Sequence, residues 1–301
     1  MVLVTGAGAP LIIDTHVHLW RPDRGDYGWL KPENPVLYRD YLPQHVQPEL
    51  ARKGVTAVVA VQAAATVAET EYLLTLGDHF GWIAGVVGWL DVASGDFVKQ
   101  YERLRRNPRF VGIRVNGSTF AAIQDGEPLS QLSRNLRHMA DDGFPVDLLL
   151  RLGEMPSVIK LLREVPHLKA AVNHLGVPPV LDQSPKDCEA WNSLMRELAE
   201  YAGVVCKLSG MITQSRGYDV RLWRPYVEQL VAAFGPQRLL FGSDWPVCLQ
   251  AGGYDEVMRL FHEVLRGLLD ESALARICGD NAVSFYQLQA VGLPGLGGDF
   301  K

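Results

Sequence analysis

Eight short apolar runs, each followed by a longer amphipathic stretch, constrain this chain more than any other feature of its sequence. The runs are LIIDTH (11–16), TAVVAVQ (56–62), IAGVVGWL (83–90), FVGIRVN (110–116), PVDLLL (145–150), LKAAVNH (168–174), VVCKLSG (204–210) and RLLFGSD (238–244). Helical periodicity lies near 46–53, 67–79, 96–106, 129–142, 156–164, 187–202, 221–234 and 254–267. Short β-branched runs alternating with helices read as βα units whose strands are parallel and buried on both faces. Eight such units in 301 residues predict an α/β fold of the (β/α)8 TIM-barrel type, which needs roughly 250 residues. An open doubly wound sheet is the competing arrangement. The count of eight disfavours it, and so does the lack of a working glycine fingerprint. VLVTGAGAP (2–10) carries glycines like those of a dinucleotide-binding turn, but Pro10 and an apolar strand follow where a helix should receive the pyrophosphate.

No Gly/Ser-rich linker divides the chain, so residues 1–301 are read as one domain. The segment 20–44, WRPDRGDYGWLKPENPVLYRDYLPQ, separates the first strand from its helix with four prolines and several aromatics. A βα loop of that length is uncommon and is expected to lie over the barrel's mouth as a lid or wall. GLPGLGGDFK (292–301) has no periodicity and is expected to be a mobile tail.

Composition narrows the function class. Charged residues make up 21% of the chain with a formal net charge of −5 and no long basic run, so neither nucleic acid nor an anionic membrane is indicated as a partner. Cys188, Cys206, Cys248 and Cys278 show no CxxC spacing and suit reduced thiols in a cytoplasmic protein. No secretory signal and no apolar run long enough to span a membrane is read. A homo-oligomer is compatible with all of this.

In a barrel, reactive groups gather where the strands end. His16 and His18 close the first run, and their i, i+2 spacing points both the same way. Asn173 and His174 close the sixth run, and Asp244 closes the eighth, in FGSDWP. Three strands thus end in residues suited to metal binding or acid–base work, where one rim would collect them. Three imidazoles and a carboxylate suit one divalent ion, zinc by donor type. Such an ion polarises a carbonyl and lowers the pKa of bound water from about 15.7 toward 7. Asp244 would take the proton from that water and return it to the leaving group.

The ordered set IIDTHVHLW, NHLG and LLFGSDWPV, spanning residues 13–247, closely resembles the amidohydrolase superfamily and its amidohydrolase-2 branch. KLSG (207–210) and GSDWPV (242–247) are similar to the subgroup of sugar-acid lactonases, L-fuconolactonase and L-rhamnonolactonase among them. The resemblance implies a (β/α)8 barrel and attack of activated water on an ester or amide carbonyl. Many amidohydrolases bridge two metals with a carboxylated Lys on strand four and a His on strand five. Here FVGIRVN offers Arg114 and PVDLLLR offers Asp147 and Arg151, which argues against a binuclear centre. The expectation is one ion on some of His16, His18, His174 and Asp244, with a metal-free mechanism left open.

Asp244, His174 and Arg114 are therefore the expected catalytic residues, Arg114 polarising the carbonyl or holding a polar substrate atom by its planar fork. Trp20, Trp29, Trp89 and, beside Asp244, Trp245 are candidates for the apolar face of a sugar ring, and Gln62, Asn116 and Arg151 for its polar groups. Lys207 sits inside a strand and is expected to make a salt bridge or hydrogen bonds within the barrel. His79 reads as a charge on a helix C-terminus, and His45, His138, His167 and His262 as structural. The expected activity is opening of a sugar-acid lactone. A metal-dependent decarboxylase of the same branch and a non-catalytic sugar-acid binding protein are the alternatives.

Overall fold

The strand β1 (Ile13–Val17) pairs in parallel with β2 (Ala57–Val61), and each later strand adds beside its predecessor. These are β3 (Ile83–Gly88), β4 (Phe110–Asn116), β5 (Val146–Leu149), β6 (Ala170–Val172), β7 (Val204–Leu208) and β8 (Leu239–Phe241). The ring closes just beyond β8. Val17 bridges in parallel to Trp245, the Asp244 amide donates to the His16 carbonyl at 2.8 Å, and the His18 amide donates to the Trp245 carbonyl at 2.7 Å. The expected (β/α)8 barrel is thus present. The computed structural model describes residues 11–122, 130–182 and 184–289, so the glycine-bearing leader and the 292–301 tail lie outside the described residues.

The helices α1 (Pro43–Lys53), α2 (Val67–His79), α3 (Phe97–Leu104), α4 (Gln131–Asp141), α5 (Met155–Glu164) and α6 (Pro185–Ala199) follow the first six strands in turn. The short α7 (Met211–Gln214) and the longer α8 (Val220–Phe234) follow β7, and α9 (Tyr254–Leu265) follows β8. Local chemistry starts several of them: Thr66, Ser130 and Asp219 accept amides of the first turns of α2, α4 and α8. Two further helices, α10 (Glu271–Ala275) and α11 (Asn281–Tyr286), were not expected; a π-helical turn (Arg276–Asp280) joins them, and its wider turn interrupts the 3.6-residue period. Their role is clear in three dimensions. Ala282, Phe285 and Tyr286 of α11 pack against Ile13, Val59, Val111, Val205 and Leu240 in a cluster of their own, sealing one end of the barrel. No helix among the described residues is long and apolar enough to cross a membrane.

Strand alternation sorts side chains between the barrel interior and the helix layer. In β2, Ala57, Val59 and Val61 face the inner cluster, whereas Val58 and Ala60 join the larger outer core. β1 departs from this rule. Ile13 belongs to the inner cluster and Val17 to the outer one, and the register slips between Asp14 and Val17. A bulge changes which face each later residue presents, and here it turns the even-numbered His16 and His18 toward the barrel axis.

The long 20–44 loop folds back on itself. Trp20 and Tyr41 exchange backbone hydrogen bonds at 2.9 Å, and the Trp20 indole donates to the Leu37 and Arg39 carbonyls at 3.1 and 3.0 Å. Trp20 also meets Trp29 and Tyr41 edge-on. The loop is therefore a packed unit, and it brings Asp26, Gly28 and Trp29 to a cavity at the strand ends.

Candidate active site

The cavity has a volume of about 550 Å³. Of the residues expected from sequence, His18, His174, Asp244 and Arg114 line it, and so do Trp29, Gln62 and Asn116. His16 lies behind them, fully buried. The β2–α2 loop (Ala63–Thr66), Leu149 and Val247 complete the wall. Trp20, Trp89 and Arg151 are placed elsewhere. Trp20 is fully buried as the anchor of the long loop, its ring 6.2 Å from that of His18. The Trp89 backbone is held by Thr70, and Arg151 is exposed at the cap of a helical turn, with its amide on Glu154. Adjacency to a strand end did not bring these three to the cavity wall: each lies beyond the last residue of its strand.

The eighth-strand turn and β1 are clamped by a residue the sequence did not single out. Asp14 Oδ1 accepts the Ser243 and His16 amides at 2.8 and 3.1 Å, and Oδ2 accepts the Tyr254 hydroxyl at 2.8 Å. Burial pushes the Asp14 pKa up to about 6 against the pull of these donors. Asp244 itself takes a left-handed backbone, φ 60°, which Asp and Asn tolerate better than other side chains. His174 has φ 54° and hangs on one hydroxyl. Ser209 Oγ accepts the His174 amide at 3.3 Å and pairs with Nδ1 at 2.9 Å.

Three imidazoles converge on one carboxylate oxygen. The Nε2 atoms of His18, His16 and His174 lie 3.5, 3.7 and 4.0 Å from Asp244 Oδ1. His18 Nδ1 is 2.7 Å from the Val61 carbonyl, which only accepts, so Nδ1 carries the proton. In the neutral ring the Nε2 lone pair then faces the carboxylate, and two acceptors so placed need a proton or a cation between them. Burial holds the imidazole pKa values of His16, His18 and His174 below the ordinary value, His16 well below it. Burial also acts to raise the Asp244 pKa, but His174, His18 and Arg114 outweigh it and keep the carboxyl below its usual value.

The residues fit a divalent metal. Both ring nitrogens of His16 are buried without a hydrogen-bond partner. His16, His174 and Asp244 offer donor atoms within 4.8 Å of one another, and imidazole with carboxylate is a zinc donor set. A second His/acid group, Glu102, His138 and Asp142, lies on the outer surface, where Asp142 already accepts from Tyr101 and Arg105.

Arg114 supplies the cation of the cavity. Burial lowers its pKa, while Glu69, Asp147 and Asp244 act to raise it. Its Nε is buried with no partner, so at least one donor of a pre-oriented fork is uncommitted.

Two glycines make this packing possible. A Cβ on Gly242 would stand 2.8 Å from His16 Cβ, and one on Gly210 (φ 68°) would stand 2.8 Å from His174 Nδ1. Gly210→Ala therefore combines backbone strain, about 1–3 kcal/mol, with a collision at the imidazole. The expected result is a lower melting temperature together with at least about a tenfold loss of turnover. A variant with wild-type melting and turnover would contradict this packing.

The sequence matches the amidohydrolase family over residues 13–288. An L-fucono-1,5-lactonase of Burkholderia ambifaria is 34% identical over 283 residues, which cover 92% of this chain and 95% of that protein. Another, from Burkholderia multivorans, is 32% identical over 286 residues, 92% of this chain and 96% of the relative. The crystal structure of an amidohydrolase from Burkholderia multivorans with bound zinc superposes with a TM-score of 0.85 at 32% identity, covering 93% of this chain and all of that one.

Proposed function

The chain belongs to the amidohydrolase family, and from that premise we propose that it hydrolyses the lactone of a sugar acid, an aldonolactone such as L-fucono- or L-rhamnonolactone. The observation that carries the reading is the convergence of three imidazoles on the single carboxylate of Asp244, beside Arg114, at the floor of a cavity walled by Trp29, Gln62 and Asn116. The relatives' names point to the same substrate class.

In this reading the lactone ring lies against Trp29, and its hydroxyls meet Gln62 and Asn116. Arg114 donates to the ester oxygen or a neighbouring hydroxyl, stabilising charge as it develops. Asp244 accepts the proton of the attacking water as the new C–O bond forms. The tetrahedral centre then collapses, the ring C–O bond breaks, and Asp244 returns the proton to the departing alkoxide, giving the open hydroxy acid. His18, His16 and His174 hold the carboxylate and the carbonyl in register. One divalent ion, zinc by donor chemistry, would be held by His16, His18, His174 and Asp244, where it would polarise the carbonyl and acidify water.

A pH-indicator screen of aldonolactones, run with and without chelator, tests the reading. Acid release above the spontaneous rate is expected from at least one L-configured lactone. Release from none would remove the lactonase assignment. Turnover that survives complete removal of metal would leave carbonyl polarisation to Arg114 and the imidazoles.

A further inference from the structure

Trp29 forms a wall of the cavity although it belongs to a loop 34 residues away from its nearest hydrogen-bond partner. Its indole N–H donates to the Ala63 carbonyl at 2.7 Å. The Ala63 amide in turn donates to both oxygens of the Glu69 carboxylate, at 2.9 and 3.1 Å, and the Ala64 amide donates to Oε2 at 3.0 Å. Glu69 is the third residue of α2, and its own amide donates to the N-cap hydroxyl of Thr66 at 3.0 Å. A Glu in that position ordinarily reaches back to the cap residue's amide. Here it reaches past the cap to the turn that lines the cavity.

Glu69 is wholly buried (0% exposed) and does not line the cavity. Buried acids are rare unless their oxygens are occupied, and here main-chain amides occupy both. Burial pushes its pKa up to about 7, while those amides and Arg114 draw it down. A second tether runs beside the first, from the Thr66 hydroxyl to Asp26 Oδ2 at 3.0 Å, again joining the β2–α2 loop to the long loop.

We propose that Glu69 is a positioning residue for substrate: its carboxylate fixes the Ala63–Ala64 turn, the turn fixes the Trp29 indole, and the indole closes the cavity against the apolar face of a sugar ring. The proposal rests on the cavity being the lactone site. It assigns to Glu69 an effect on substrate affinity, transmitted through Trp29, with the chemical step left to Asp244.

The test uses the whole chain labelled with 5-fluorotryptophan, which gives one fluorine signal for each of seven tryptophans. Trp29→Phe identifies the Trp29 signal by its disappearance. In Glu69→Ala that signal is expected to move or broaden while those of fully buried Trp191 and Trp223, which make no ring contact with Trp29, stay fixed. KM for the lactone turned over should rise about tenfold, with kcat within about threefold of wild type. Glu69→Gln keeps one acceptor oxygen and should fall between the two; it decides the matter if the alanine variant does not fold. An unmoved Trp29 signal in both variants overturns the proposal, and so does a moved signal with KM within about twofold of wild type. Should the wild-type protein open no lactone, the lactonase reading fails on its own, and the Trp29 signal still decides whether Glu69 holds the wall.

Discussion

Asp244→Asn is expected to lower kcat for lactone opening at least about a hundredfold while leaving the melting temperature close to that of wild type. Asn is the informative replacement because Asp244 has φ 60°, a conformation Asn adopts nearly as easily as Asp. The main-chain bonds of this turn, Asp244 amide to the His16 carbonyl and Cys248 amide to the Asp244 carbonyl, do not involve the side chain and should survive. What Asn removes is the negative charge on which His18, His16 and His174 converge at 3.5 to 4.0 Å, and with it the acceptor for the proton of water. Asp244→Ala would mix this loss with backbone strain. The measurement is the initial rate at saturating lactone, corrected for spontaneous opening, alongside a thermal melt. A kcat within about tenfold of wild type would transfer the general-base role elsewhere.

The largest effect on stability should come from the barrel interior. Lys207→Met is expected to destabilise the protein by about 3–5 kcal/mol. Lys207 and Asp147 are both fully buried, with Nζ 2.5 Å from Asp147 Oδ2 and 2.7 Å from the Thr15 carbonyl. Tyr286 of α11 donates its hydroxyl to Asp147 Oδ1 at 2.6 Å, and its ring centre lies 5.4 Å from Nζ. Met matches the length of Lys but leaves the carboxylate of Asp147 buried with one neutral donor. The cost is that of the stranded charge, so the double replacement Lys207→Met with Asp147→Leu should recover much of the loss. Chemical denaturation of the single and double variants measures both. A single variant within about 1 kcal/mol of wild type, or a double variant no better than the single one, would contradict this account.

The two cases illustrate how differently the site and its supports were legible. Asp244 could be picked out because a polar residue closing an apolar run has few structural reasons to be there. Lys207 was readable as bonded within the barrel, by a salt bridge or hydrogen bonds, because an ion inside a strand needs a partner, although nothing in the sequence named Asp147. Glu69 gave no such signal. It looks like the acid of any helix first turn, and only the fold of the preceding loop shows that its oxygens hold Ala63 and Ala64. Asp14 was equally silent, since the amides it joins, of His16 and Ser243, lie in segments more than 220 residues apart. Trp20, Trp89 and Arg151, also candidates by residue type, do not line the cavity; nearness to a strand end carries no information on which way a side chain points.

Strand count, parallel order and the chemistry gathered at the rim follow from the chain alone, because apolar period and chain length leave few ways to bury eight such runs. The three-dimensional fold was needed for everything that depends on facing. The slip in β1 turns His16 and His18 inward, the α11 plug closes the opposite end, and the long loop reaches Ala63 to stand Trp29 against the cavity. These are long-range contacts between segments that carry no local sign of one another, and local periodicity cannot encode them.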